Sequence, residues 1–111
     1  MKLILLDAAE QEMIDAADRY EQQTPGLGTE FLHAIASAVS LLLRQRFLGR
    51  IFAGIDLLDI REYVLPRFPY SLVYRVGATG LTVVAFPHQY RRRGYWQNRV
   101  QEEQAVYAVA A

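Results

Sequence analysis

Pro69-Tyr70-Ser71-Leu72-Val73-Tyr74-Arg75-Val76-Gly77-Ala78-Thr79-Gly80-Leu81-Thr82-Val83-Val84-Ala85-Phe86 is the stretch that decides the fold. Tyr70, Leu72, Tyr74 and Val76 alternate with Ser71, Val73 and Arg75, the period of two expected of a strand. Gly77-Ala78-Thr79-Gly80 reads as a hairpin connection, and Leu81–Phe86 as the returning strand. Pro87 ends that strand or marks an irregular point, because proline has no N–H to give the ladder. Upstream, Pro66 and Pro69 bracket a turn. Before the turn, Leu58, Ile60 and Val64 fall on one face and Asp59, Arg61 and Tyr63 on the other, so a third strand completes a meander.

Further toward the N-terminus the period changes. Phe47–Asp56, with Gly49 and Gly54, reads as a loop. Phe31, Leu32, Ile35, Ala36, Ala38, Val39, Leu42 and Leu43 form a wide apolar stripe, which predicts a helix touching both a neighbouring helix and a sheet. Thr29 is placed to cap it. Thr24-Pro25-Gly26-Leu27-Gly28 breaks it from an earlier helix that ends near Gln23. That first helix starts at Asp7, with Glu10 completing a pattern like a capping box. Met13, Ile14, Ala17 and Tyr20 give it a narrow apolar stripe, while Glu12, Asp15, Asp18 and Glu21 read mostly as a solvated face. The short break favours an antiparallel helical hairpin. Lys2–Leu6, apolar on both faces, reads as a strand covered on both sides or lying inside a sheet.

The order is therefore β-α-α-β-β-β, an α+β layer of about four strands, mainly antiparallel, with the helical hairpin covering one face. The first strand is expected beside the last, parallel or antiparallel. A single domain over residues 1–99 is expected, followed by a tail, 100–111, that extends a helix or stays loose.

Composition narrows the chemistry. The chain has 111 residues and is 52% apolar and 12% aromatic, enough for a core. It contains no cysteine, which removes disulfides, thiol nucleophiles and cysteine–zinc sites. Its two histidines, His33 and His88, lie far apart, which argues against a histidine-rich metal site, and His33 beside the apolar stripe is given a structural or solvent role. No metal or cofactor is expected. The apolar run at the N-terminus is too short for a signal-peptide core or a bilayer span, so a soluble cytoplasmic protein with no membrane partner is expected.

The formal net charge is zero, but it is split: residues 1–60 carry nine acids and five bases, whereas residues 61–99 carry seven arginines and one acid, Glu62. Such asymmetry points to an acidic or polyanionic partner for one face. Eleven of the twelve bases are arginine. Guanidinium groups stay charged and grip carboxylate or phosphate in a planar fork, which suits docking better than proton transfer. Arg61, Arg75, Arg91, Arg92 and Arg93 are the candidate binding residues, together with Tyr95 and Trp96. That aromatic pair also suits packing of a terminal segment onto the core. Read as extended, Arg91–Arg93 cannot all point one way.

An ordered set of features carries a resemblance. Ala9-Glu10 open the first helix and Tyr20-Glu21 close it. Gly26-Leu27-Gly28 and Phe31 start the second. Asp59-Ile60-Arg61, Phe68-Pro69-Tyr70 with Leu72-Val73-Tyr74, and His88 with Arg91-Arg92-Arg93-Gly94-Tyr95-Trp96 follow. Across roughly residues 3 to 99 the chain resembles the ParE branch of the ParE/RelE superfamily of bacterial toxins. The resemblance implies a curved antiparallel sheet with a helical hairpin packed on it. It also implies a toxin of a type II toxin–antitoxin system, of the kind linked to plasmid stabilisation, neutralised in an oligomeric complex with a cognate ParD-like antitoxin. ParE members are associated with poisoning DNA gyrase, and RelE members with metal-independent cleavage of messenger RNA on the ribosome. Cleavage needs an acid and a base and stabilisation of charge on phosphorus. His88, Arg61, Arg91 and Tyr95 are the residues available for that alternative. The central strands carry no lysine, and Ser71 stands where RelE-like sequences often place an arginine. Binding without catalysis is the reading favoured, and a relative that retains only antitoxin binding is the third.

Overall fold

A computed structural model describes residues 2–52 and 59–100. The elements are β1 (Lys2–Leu5), α1 (Asp7–Gln23), α2 (Leu27–Arg44), β2 (Arg50–Ile51), β3 (Ile60–Val64), β4 (Ser71–Val76) and β5 (Gly80–Ala85). The strands form one sheet in the order β1-β5-β4-β3-β2. β2, β3, β4 and β5 pair antiparallel in sequence order, and β1 joins the far edge parallel to β5. The α+β class and the helical hairpin follow the sequence reading, and the first strand does lie beside the last. Its pairing is parallel, with Lys2 opposite Gly80 and Leu5 opposite Val83. A parallel partner needs a long crossover, and the chain between β1 and β5 supplies one.

Three sequence expectations need correction. β1 is an edge strand, and Lys2, Leu3 and Ile4 are exposed. An apolar run alone does not say how many neighbours a strand has. Residues 50–51 form a fifth strand inside the segment read as loop, too short to show any alternation. Residues 53–56 of that segment, and Leu58, lie outside the described residues. Neither helix is capped as expected. Leu6 is the N-cap of α1 with no side-chain bond, so Asp7 and Glu10 act only as first-turn charges favourable to the helix dipole. α2 starts at Leu27 behind Gly26, leaving Thr29 inside the helix. Its opening N–H groups are instead taken by a carboxylate from the previous helix: Gly26 and Gly28 N–H donate to Glu21 at 2.9 and 3.1 Å.

The sheet is covered on both faces. On one, Ala9, Ala16 and Ala17 of α1 and Phe31, Ile35, Ala38 and Leu42 of α2 pack against Leu72, Tyr74, Leu81 and Val83. The alanines let helix backbones approach closely. On the other face, Ile60, Val73, Val84 and Ala85 are covered by Phe52, Trp96 and Val100. The register shifts between Val73 and Tyr74, a bulge opposite β5 that increases local twist. Val100, assigned from sequence to the tail, is buried in this second core; residues 101–111 lie outside the described residues. α2 is long and apolar enough by composition to cross a membrane. It is amphipathic, however, and its Phe31, Ile35, Ala38 and Leu42 face the core.

Candidate functional site

β3 sends alternate side chains to opposite faces, and this separates two groups of functional candidates. Arg61 points to the helical face. Its Nε donates to Asp59 at 2.7 Å, and its Nη1 donates to the carbonyls of Phe47 and Gly49, both at 2.9 Å. The side chain is only 14% exposed. Beside it, the Tyr74 hydroxyl accepts the Gly49 N–H at 2.9 Å and donates to the Arg46 carbonyl at 2.8 Å. Arg61 and Tyr74 together fasten the loop after α2 to the sheet. Arg75, opposite Ile60 in the ladder, falls on the other face.

On that other face the chain leaves β5 and turns. An isolated antiparallel bridge joins His88 to Tyr70, flanked by Ser71 N–H to Pro87 O and Gln89 N–H to Pro69 O, each 2.9 Å. The His88 ring stands edge-on to Tyr70 at 5.0 Å, and its Nδ1 accepts the Tyr90 N–H at 3.2 Å.

The arginine run is not extended. Arg91 N–H closes a turn onto His88 O at 2.9 Å, and Tyr95 N–H turns back to Arg92 O at 3.3 Å. Gly94 holds φ +77° between them, a conformation glycine adopts without a Cβ penalty. The turn overrides the up-down alternation expected of an extended segment, and all three arginines line one cleft of about 190 Å³. Glu62, Ser71 and His88 line it as well, with Phe52 and Trp96 beneath. Arg93 pairs with Glu62 at 3.5 Å and lies 4.4 Å over the Phe52 ring. Arg50 meets the same carboxylate from the β2 edge at 3.5 Å. Arg91 stacks 4.0 Å over Tyr95. Arg92 is exposed, and its guanidinium has no partner among the described residues.

Tyr95 and Trp96 are not free to meet a ligand as exposed rings. Trp96 is 1% exposed and packs edge-on against Phe52 at 4.7 Å. The Tyr95 hydroxyl donates to Glu12, which by sequence falls on the acidic face of α1. Arg99 donates to both Glu12 oxygens at 3.0 Å and to Val84 O at 3.1 Å, and Phe86 N–H adds a fourth bond to the carboxylate at 3.0 Å. Burial alone would raise the Glu12 pKa, but the bonds from Arg99, Tyr95 and Phe86 N–H outweigh it and hold the group below its ordinary range. Burial first, then the bond to Glu12, push the Tyr95 hydroxyl well above the usual phenol range. No local pattern signals this node; its members meet only after the sheet has formed.

A second, more apolar groove of about 450 Å³ runs between α2 and β3. Ala34, Ala38, Leu41 and Tyr63 line it, His33 sits on its wall, and Arg67 approaches Glu30 at 3.7 Å. Among the described residues, no three metal-ligating side chains gather.

The geometry can be set beside known proteins. One solved chain, from the chromosomal ParDE TA system of P. aeruginosa, matches with a TM-score of 0.67 at 20% identity, covering 79% of this chain and 95% of that one. At that identity the likeness shows the fold alone. No curated protein sequence matches significantly. The sequence model for the ParE toxin of type II toxin–antitoxin systems, parDE, matches residues 3–93. With most of its length matched, the chain belongs to the ParE toxin family.

Proposed function

We propose that this toxin works by binding, with DNA gyrase as its target in the bacterial cytoplasm, and that a ParD-like antitoxin neutralises it. One observation carries the reading: of the four groups that RNA cleavage would draw on, Arg61 stands apart, and the Tyr95 hydroxyl and one nitrogen of His88 are already engaged. Arg61 is committed to the loop after α2, on the opposite face from Arg91. The Tyr95 hydroxyl is held by Glu12, and Nδ1 of His88 by backbone. What is left open to a macromolecule is a rim of guanidinium groups, suited to acidic or phosphate surfaces. The groove between α2 and β3 supports the antitoxin part of the proposal, since an amphipathic helix buries an apolar stripe in such a groove.

The ribonuclease alternative keeps one supporting feature, the presence of His88 and Arg91 in the same cleft. Expression of the chain without antitoxin separates the readings. Filamentous growth arrest with DNA-damage signalling, and inhibition of gyrase by the purified chain, are expected. Rapid loss of intact messenger RNA, abolished by His88→Ala, would instead support the RelE-like reaction. Normal growth would support a relative that retains only antitoxin binding.

A further inference from the structure

We propose that the arginine cleft beyond β5, together with the exposed ring of Tyr90, is a docking site for a single strand of nucleic acid. Two kinds of group meet there. Arg91, Arg92 and Arg93 line the cleft against one carboxylate, and that carboxylate, Glu62, is already shared between Arg93 and Arg50. Arg91 and Arg92 carry no ion pair among the described residues, so their charge is available to phosphate. Tyr90, one residue before the run, is 84% exposed, and its ring lies 5.3 Å from that of His88 on the cleft wall. An exposed aromatic beside guanidinium groups offers stacking to an unpaired base while the arginines follow the backbone.

The pairing of features favours this ligand over its neighbours. A duplex keeps its bases stacked inside, where Tyr90 cannot reach a base face. An acidic peptide would use the charge and leave the ring without purpose. The cleft of about 190 Å³ is also too small to seat a peptide helix, whose diameter is about 10 Å or more. Ser71 adds a hydroxyl on the cleft wall that can donate to a phosphate oxygen. Docking of this kind does not require gyrase to be the target.

The test is fluorescence anisotropy of the purified full chain with labelled oligothymidylate about ten nucleotides long, titrated with salt. Tyr90→Ala is expected to weaken binding about tenfold, the scale of one lost stacked base. Arg92→Gln is expected to flatten the salt dependence by about 0.7 in log–log slope, one phosphate contact on a single strand. Both side chains are exposed, and unchanged thermal melting confirms that the variants fold. Oligouridylate in a parallel titration tells whether DNA or RNA is the better ligand, and tight binding of either supports the site. No binding at low salt, binding insensitive to both variants, a duplex bound as tightly as the single strand, or equal competition by polyglutamate would each overturn it. Strand binding without gyrase inhibition leaves this site standing and removes the gyrase reading; gyrase inhibition unaffected by both variants, without strand binding, does the reverse.

Discussion

Glu12 on α1 and Arg99 near the end of the described chain, 87 residues apart in sequence, meet in a two-point pair with both contacts at 3.0 Å. Their side chains are 18% and 22% exposed, so the pair is partly shielded from water. It clamps the segment that covers the second face of the sheet onto the helix packed against the first. Glu12→Gln keeps the shape but leaves the Arg99 charge with a weaker acceptor. The substitution is expected to cost about 2–3 kcal/mol in denaturant unfolding, less than the roughly 3–5 kcal/mol for a fully buried ion pair because this one is partly exposed. A change of a few tenths would mean that apolar packing of Trp96 and Val100, not the ion pair, holds the covering segment.

The same node sets a pH dependence. The folded pKa of Glu12 lies below its ordinary value of 4.5. Its contribution to stability is therefore fully present above that value and is lost as pH falls through the lower folded value. Tyr95 has the opposite sense. Its folded pKa is raised above 10.0, so its contribution is present below pH 10 and is lost as pH rises toward the folded value. Unfolding free energies measured from neutral to acid pH should decline below the ordinary carboxylate range, and Glu12→Gln should flatten that decline. An unchanged acid limb in the variant would assign the effect to other carboxylates.

These contacts also mark what sequence reading reaches. The alternation in β4 and the apolar stripe of α2 are local patterns, and they place the meander and the helical hairpin; the seat of β1 beside β5 is an expectation that the pairing bears out. Glu12 and Glu21 carry no such pattern. Each looks like a surface acid on a helix, and only the tertiary structure gives one an arginine 87 residues away and the other the N–H groups of the next helix. The shared cleft of Arg91–Arg93 departs from the alternation of an extended segment because Gly94 permits a turn. Glycine beside an arginine run was the available signal for that turn.

Gly80 makes the parallel edge possible. A Cβ built there would lie 1.9 Å from the backbone oxygen of Lys2, across the β1–β5 ladder. Gly80→Ala forces the two strands apart. It is expected to destabilise the protein by about 2 kcal/mol, within the range for single substitutions that strain backbone packing. Hydrogen exchange should quicken at Leu6 N–H, which donates to Val83 O at 3.2 Å. Retained protection at β1 would show that the edge shifts without detaching.

The buried Tyr74 hydroxyl both accepts from Gly49 N–H and donates to Arg46 O. Tyr74→Phe keeps the ring in the core and strands the buried Gly49 N–H. The expected cost is about 1–2 kcal/mol, the penalty for an unsatisfied buried donor rather than for lost packing. Thermal melting reads the loss, and a melting point equal to the parent's would show that water reaches Gly49.

Arg61 separates a structural role from a chemical one most directly. Its guanidinium reaches Asp59 and two loop carbonyls at once, a geometry that a single ammonium cannot reproduce. Arg61→Lys keeps the positive charge and is expected to lower stability by about 1–2 kcal/mol through the lost bonds. Faster exchange at Gly49 N–H should accompany the loss, because Arg61 and Tyr74 hold the same turn. Toxicity per folded molecule should survive at permissive temperature, since the side chain faces away from the arginine cleft. Loss of toxicity with unchanged melting and exchange would place Arg61 in contact with the target and refute its assignment to the loop.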